Sequence, residues 1–267
     1  MDSLEAESIY LLRETYRAFP RMAMLWSVGK DSTVLLWLAR KAFLGRVPFP
    51  LIHVDTSYKI PEMIAWRDRI VRDWALDLIV ARNDHALTAR QTYPDAAATR
   101  VECCTRLKTD AVQQVIQARE FQAVVVGVRR DEDATRAKER YVSPRGRDRQ
   151  WDVSNQPPEF WDQFRTTAPQ GGHMRVHPLL HWTELDIWRY IQREAIPVVP
   201  LYFDDGHGRR YRSLGCAPCT ATIASNARTV ADVIRELEDT RVTERSLRAQ
   251  DLESEDAFER LRRDGYM

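Results

Sequence analysis

Six residues between two apolar runs carry the clearest chemistry in this sequence: Ser27, Val28, Gly29, Lys30, Asp31 and Ser32, within "LWSVGKDSTVLL". A glycine turn between a strand and a helix is where proteins hold phosphate, because free N–H groups and the positive end of the helix dipole both point there. A Walker A loop would need glycine at position 24 and a hydroxyl straight after the lysine; the sequence has Met24 and Asp31. The turn is therefore a phosphate grip of another kind, or a plain glycine turn capped by Asp31 and Ser32. A second candidate is "GVRRDEDATRAKER", which begins at Gly127 and places Arg129, Arg130, Arg136 and Lys138 beside Asp131 and Glu132. Such cations suit an oxyanion or nucleotide phosphates, although mixed charge runs also form solvated faces. Four cysteines stand as an adjacent pair, Cys103 and Cys104, and a distant C-x-x-C, Cys216 and Cys219. In a chain of 267 residues from a reducing compartment they are metal ligands, catalytic thiols or core residues rather than a disulfide framework.

The elements that must position these groups alternate. A helix is expected over 4–18, then a strand at 22–27 and a helix at 32–43. A strand at 50–55, a helix at 61–75 opening on Pro61 and a strand at 76–81 follow. A helix at about 105–119 leads to an apolar, β-branched strand at 122–127, of the type buried in parallel sheets. This alternation predicts an α/β fold, a doubly wound, mainly parallel sheet. Asp55 closes the second strand, where open α/β sheets place ligand groups. From 128 to 175 periodicity fades into a long loop rich in Arg, Asp, Pro and Gly. Thr183 is expected to cap a helix over 183–195, and 229–263 reads as two polar helices. The division expected is 1–200 as an α/β domain carrying the glycine turn and 201–267 as a C-terminal region with the C-x-x-C cysteines and a helical extension. Net charge is +1, which decides nothing about nucleic acid. There is no long apolar run and the start is acidic, so the expectation is a soluble, cytoplasmic protein with no membrane contact.

The Ser-x-Gly-Lys-Asp-Ser order resembles the pyrophosphate-binding loop of the adenine nucleotide α-hydrolase superfamily. That resemblance implies ATP cleavage at the α–β bond, with Ser27, Gly29 and Ser32 as donors, Lys30 neutralising charge and Asp31 supporting Mg²⁺. "LEAESIYLLRE", "PFPLIHVDTSYKIPEM", "RRDEDATRAKER" and "QPPEFW" are similar to the small subunit of sulfate adenylyltransferase, within the sulfonucleotide reductase superfamily. The cysteines resemble instead the [4Fe–4S] ligand set of assimilatory adenylylsulfate reductases, with Lys108 one helical turn past the pair. Four thiolates suit such a cluster, and zinc or unligated thiols remain the alternatives. The reductases also need a nucleophilic cysteine near the C-terminus, and none follows Cys219. An adenylyltransferase-like ATP site with a reductase-like cluster resembles the iron–sulfur ATP pyrophosphatases of DNA phosphorothioation. That resemblance implies a cysteine desulfurase as sulfur donor and DNA as acceptor, contacted through Arg145, Arg147 and Arg149 near Trp151. Two readings compete with it: a sulfate adenylyltransferase small subunit working with a GTPase, and a non-catalytic sulfur-transfer scaffold. Assembly into a homo-oligomer is left open.

Overall fold

The computed structural model describes residues 1–94, 98–146, 151, 156–240 and 244. Helix α1 (Asp2–Ala18), strand β1 (Met22–Leu25), α2 (Lys30–Ala42), β2 (Leu51–Val54), α3 (Pro61–Asp73) and β3 (Leu78–Ala81) alternate, with Pro61 in the first turn of α3. Two short helices follow, α4 (Asp84–Thr88) and α5 (Arg100–Cys104), the latter started by a capping box between Thr99 and Glu102. A π-helical turn, Thr105–Asp110, joins α5 to α6 (Ala111–Ala118) and β4 (Ala123–Val125). Then come β5 (Val142–Arg145), β6 (His173–Val176), α7 (Glu184–Glu194), the short strands β7 (Arg209–Arg210) and β8 (Ile223–Ala224), and α8 (Val230–Asp239).

The main sheet runs β3-β2-β1-β4-β6-β5. Its first five strands are parallel, and β5 lies antiparallel on β6 at the edge. The fold is thus the expected mainly parallel α/β sheet. Strands β1, β2 and β4 are buried along their whole length, which is why their sequences are near-continuous apolar runs, broken by His53 in β2, instead of alternating ones. Helix α1 packs on α2, and α7 packs on both α2 and α8. Trp26, Trp182, Trp188, Tyr190 and Tyr202 are among the largest fully buried side chains. Among the described residues the one strong difference from the expected elements is the segment 128–175, read as a loop. It contributes two strands whose residues, VSPR and HMRV, lack an apolar signature, and the edge position of β5 tolerates Pro144. Of the two polar helices expected over 229–263, the part past 240 lies outside the described residues, Glu244 excepted.

Thr183 caps α7 as expected: its side chain accepts from the Asp186 N–H at 3.1 Å, and Asp186 accepts from the Thr183 N–H at 3.0 Å. Thr183→Ala should therefore cost about 1 kcal/mol, read as a lower chemical-denaturation midpoint with an unchanged m-value.

Candidate nucleotide site

The loop Ser27–Gly29 leaves the C-terminal end of β1 and feeds α2 at Lys30. Gly29 is the N-cap and supplies no side chain, so the first turn of α2 has no side-chain cap. An uncapped helix start at the carboxyl edge of a parallel sheet is a ready anion site. The Lys30 N–H is used internally, donating to Tyr202 Oη at 2.8 Å. Ser27 and Ser32 share a hydroxyl hydrogen bond at 3.0 Å, and Gly29 N donates to Ser27 Oγ at 3.3 Å. Val28 holds φ at 70°, a left-handed backbone that a β-branched residue enters only under constraint. Opposite the loop is Gly127, just past β4. A Cβ there would lie 3.2 Å from Ser32 N, so the glycine lets β4 and the loop approach closely.

Behind the loop is a dense charge network. Lys30 is 1% exposed and its Nζ lies 2.5 Å from Glu244 Oε1, 3.4 Å from Asp31 Oδ2 and 3.7 Å from Glu184 Oε1. Arg129 is fully buried and pairs with Asp31, with Asp131 at 2.9 Å and with Glu244 at 2.8 Å. Burial disfavours the charge on Arg129, but Glu244, Glu132 and Asp131 outweigh it and hold the guanidinium pKa above its ordinary value. Burial likewise works against the Glu244 carboxylate, and Lys30 and Arg129 overcome it, holding that group well below the usual carboxylate range. Asp131 also accepts from the Glu184 N–H at 2.6 Å, so one carboxylate steadies both Arg129 and the start of α7. Arg212 closes the network on Glu184 at 2.7 Å.

In front of the network is an open cleft lined by Ser27, Gly29, Asp31, Ser32, Gly127, Glu132, Arg136 and Glu244, with Lys59 and Lys108 at its sides. Leu25, Ile52, Val54, Val126, Val128 and Leu214 give it an apolar wall. The mix of apolar wall and clustered polar groups suits a nucleotide. The expected residues Ser27, Gly29, Asp31, Ser32, Gly127 and Arg136 are brought together here, with Lys30 and Arg129 directly behind. Three others are placed elsewhere. Asp55 accepts from the Ser57 N–H at 2.8 Å and faces Arg82 at 3.7 Å. Arg130 bonds His181 and the Glu139 carbonyl. Lys138 is exposed, and none of the three lines the cleft. Arg145 is buried in β5, while Arg147 and Arg149 lie outside the described residues. Glu184, Tyr202 and Glu244 were not legible as site residues, because each arrives from 150 or more positions away in sequence.

A second, smaller cavity adjoins the first and is lined by all four cysteines together with Thr56, Tyr58, Tyr93 and Lys108. Lys108 lines both cavities. The π turn places its Nζ 3.3 Å from Cys104 Sγ. Thr56 Oγ1 lies 3.2 Å from Cys216 Sγ. Burial, with neighbouring thiols, pushes Cys219 up to about 11; burial also raises Cys103. Among the described residues no group of three or more His, Cys, Asp or Glu is placed to hold a metal ion.

Residues 21–222 match the family described as phosphoadenosine phosphosulfate reductase domain. The full chain is 43% identical to sulfate adenylyltransferase subunit 2 of Allorhizobium ampelinum, covering 100% of this chain and 93% of that one. It is 44% identical to the subunit 2 of Rhizobium tropici, covering 100% and 92%. This chain belongs to the phosphoadenosine phosphosulfate reductase domain family. In solved structures the same fold occurs in phosphoadenylyl-sulfate reductase from Candida auris, crystallised as a phosphate complex, with TM-score 0.58 at 17% identity over 80% of this chain and 90% of that one.

As a member of this family the protein is an enzyme, and the relatives matched from end to end correct one expectation. A DNA phosphorothioation pyrophosphatase fed by a cysteine desulfurase is overturned by full-length similarity to sulfate adenylyltransferase subunits. That expectation rested on four cysteines, whereas the similarity extends over every element of the fold. Among the described residues no helix is long and apolar enough to cross a membrane.

Proposed function

We propose that this protein is the nucleotide-activating subunit of a sulfate adenylyltransferase, joining ATP and sulfate to give adenylylsulfate and pyrophosphate beside a GTPase subunit. The observation that carries the reading is the uncapped start of α2 at the cleft, with Lys30 directly behind it, in a chain similar throughout to subunit 2 of that enzyme. A sulfate oxygen attacks the α-phosphorus, the bond from that phosphorus to the bridging oxygen breaks, and pyrophosphate leaves with the electron pair. Charge builds on the leaving pyrophosphate, so the groups needed are fixed cations and N–H dipoles at that end. The α2 amides, Lys30 and Arg129 supply them, and Arg136 reaches the same cleft. The apolar wall takes the adenine. Mg²⁺ would accompany the phosphates, with Asp31 and Glu132 as the cleft carboxylates able to accept it.

The protein together with its GTPase subunit should convert labelled sulfate to labelled adenylylsulfate, with pyrophosphate release dependent on sulfate. Formation of ADP and phosphate, or pyrophosphate release indifferent to sulfate, would refute the assignment.

The thiol cavity is assigned in the same reading to a [4Fe–4S] cluster, with Cys103, Cys104, Cys216 and Cys219 as ligands. What supports it is four thiols on one cavity wall beside a lysine. A single zinc needs its ligands converged within about 2.3 Å of one point. A cubane instead spreads four thiolates around a larger body. Binding requires the raised thiols to lose their protons, which the Lys108 ammonium favours. Such a cluster supplies a redox-active or purely structural tie between α5 and the 216–219 turn. Anaerobically purified protein should be brown with about four iron and four sulfide per chain, and Cys219→Ser should lose the colour. Colourless protein with stoichiometric zinc would remove the cluster from the reading.

A further inference from the structure

Glu244 is the described residue farthest along the chain, past the end of α8, and its side chain lies in the nucleotide cleft. Both carboxylate oxygens are taken: Oε1 is 2.5 Å from Lys30 Nζ and Oε2 is 2.8 Å from Arg129 Nη2. Lys30 and Arg129 are the cations that the proposed function gives to phosphate, and the residue is only 8% exposed. Glu244 bridges two buried cations that Asp31, Asp131 and Glu184 also contact, and its removal with no anion in its place would lessen the compensation of both. The same two cations cannot serve a polyphosphate at full strength while that carboxylate remains, because the anions would repel at short range.

We infer that Glu244 is an internal occupant of the phosphate cradle, which the polyphosphate of the nucleotide displaces when it binds. The inference rests on the assignment of Lys30 and Arg129 to phosphate. It gives the carboxylate two consequences. Without nucleotide it keeps the cradle neutralised and assembled. The need for it to depart scales apparent affinity down to the intrinsic value times the fraction of nucleotide-free molecules in which the cradle is vacated, as for any binding-competent minor state. Product exchange gains by the same device, since Glu244 can return as pyrophosphate leaves.

Calorimetric titration of the full chain with inorganic pyrophosphate tests this. Glu244→Gln removes the competing charge and should bind pyrophosphate about tenfold more tightly or better, with Glu244→Asp between that variant and the parent. Weaker or unchanged binding by Glu244→Gln would overturn the inference, the first outcome making Glu244 a partner of the bound anion. Hydrogen exchange on the unaltered chain gives an independent readout. Added pyrophosphate should slow exchange in a peptide spanning Ser27–Ser32 and speed it in a peptide containing Glu244. Slower exchange in both would count against displacement. Lys30→Ala separates the two levels of argument: if it leaves pyrophosphate binding intact, the phosphate assignment itself fails, whatever the glutamate variants do.

Discussion

Lys30→Ala should lower the rate constant of adenylylsulfate formation by about a hundred- to a thousandfold, the scale seen when one preorganised group at a developing charge is removed. The Nζ is buried and held by three carboxylates, Glu244, Asp31 and Glu184, so its position is fixed before the nucleotide arrives. In ground-state ATP the bridging oxygen carries little charge; as the α–β bond breaks, charge moves onto the pyrophosphate, and a fixed cation gains most there. The loss should therefore fall on kcat more than on KM. Lys30→Arg should recover little, because a planar fork cannot replace a compact ammonium in a pocket only 1% exposed. Removing the cation also leaves three carboxylates with less compensation, so kinetics belong at a temperature where circular dichroism shows the variant folded. A rise in KM at constant kcat would limit Lys30 to ground-state binding.

A drop of several kcal/mol in folding stability between pH 7 and pH 5 is the second large effect expected. Three histidines are buried within or beside the sheet. His53 and His173 are held down at about 3, and His177 at about 4. Burial is the main cause for all three; Lys59 and Arg67 add to it at His53, and Arg175 and Arg145 at His173 and His177. Each folded value lies below the unfolded value of about 6.5, so in the window between them the unfolded chain binds more protons. Stability is then full above about pH 6.5 and falls as pH drops toward the folded values. The integrated loss from pH 7 to 5 is about 2 kcal/mol per histidine, large against a total of about 5–15 kcal/mol. Raised Glu159 acts in the opposite sense, and lowered Glu194 adds to the acid loss, both around the carboxylate range. Denaturant midpoints at pH 7 and 5 measure the effect, and His177→Gln should flatten the slope. A midpoint indifferent to pH across this interval would refute the account.

Local signals in the sequence were sufficient for the loop, Pro61 at the start of α3, the Thr183 cap and the buried strands, because each depends on neighbours within a few residues. Strands β5 and β6 were missed because sheet pairing, not side-chain type, makes Ser143, Arg145, His173 and Arg175 strand residues. Helix α5 began earlier than expected for a similar reason. Its start depends on the Thr99–Glu102 box, while the π turn after it follows from the surrounding tertiary structure. At the site, the sequence singled out the Arg129–Lys138 run beside Asp131 and Glu132, yet it could not separate Arg129, which pairs with Asp31, from Arg130, which faces His181. Asp55 ends the right strand but closes its own turn on Ser57. Glu184, Tyr202 and Glu244 required the fold. The acceptor was misjudged because cysteine spacing describes a possible cofactor, whereas the partner in the reaction is read from the rest of the chain.

The phenol of Tyr202 that accepts the Lys30 N–H has a bearing on how this enzyme can be cut, grafted or evolved. In many nucleotide proteins a glycine loop and its helix behave as a cassette, complete within one strand–turn–helix unit. Here the amide that opens the helix is already committed to a side chain 172 positions later, and the cation beside it leans on α7. The loop is therefore not a module. A chain ending before residue 200 would keep the motif intact and lose the contacts that position it. Transplanting residues 27–32 onto another sheet would carry the letters without the function. For the same reason a correctly positioned Lys30 requires that Tyr202 and the start of α7 are already in place.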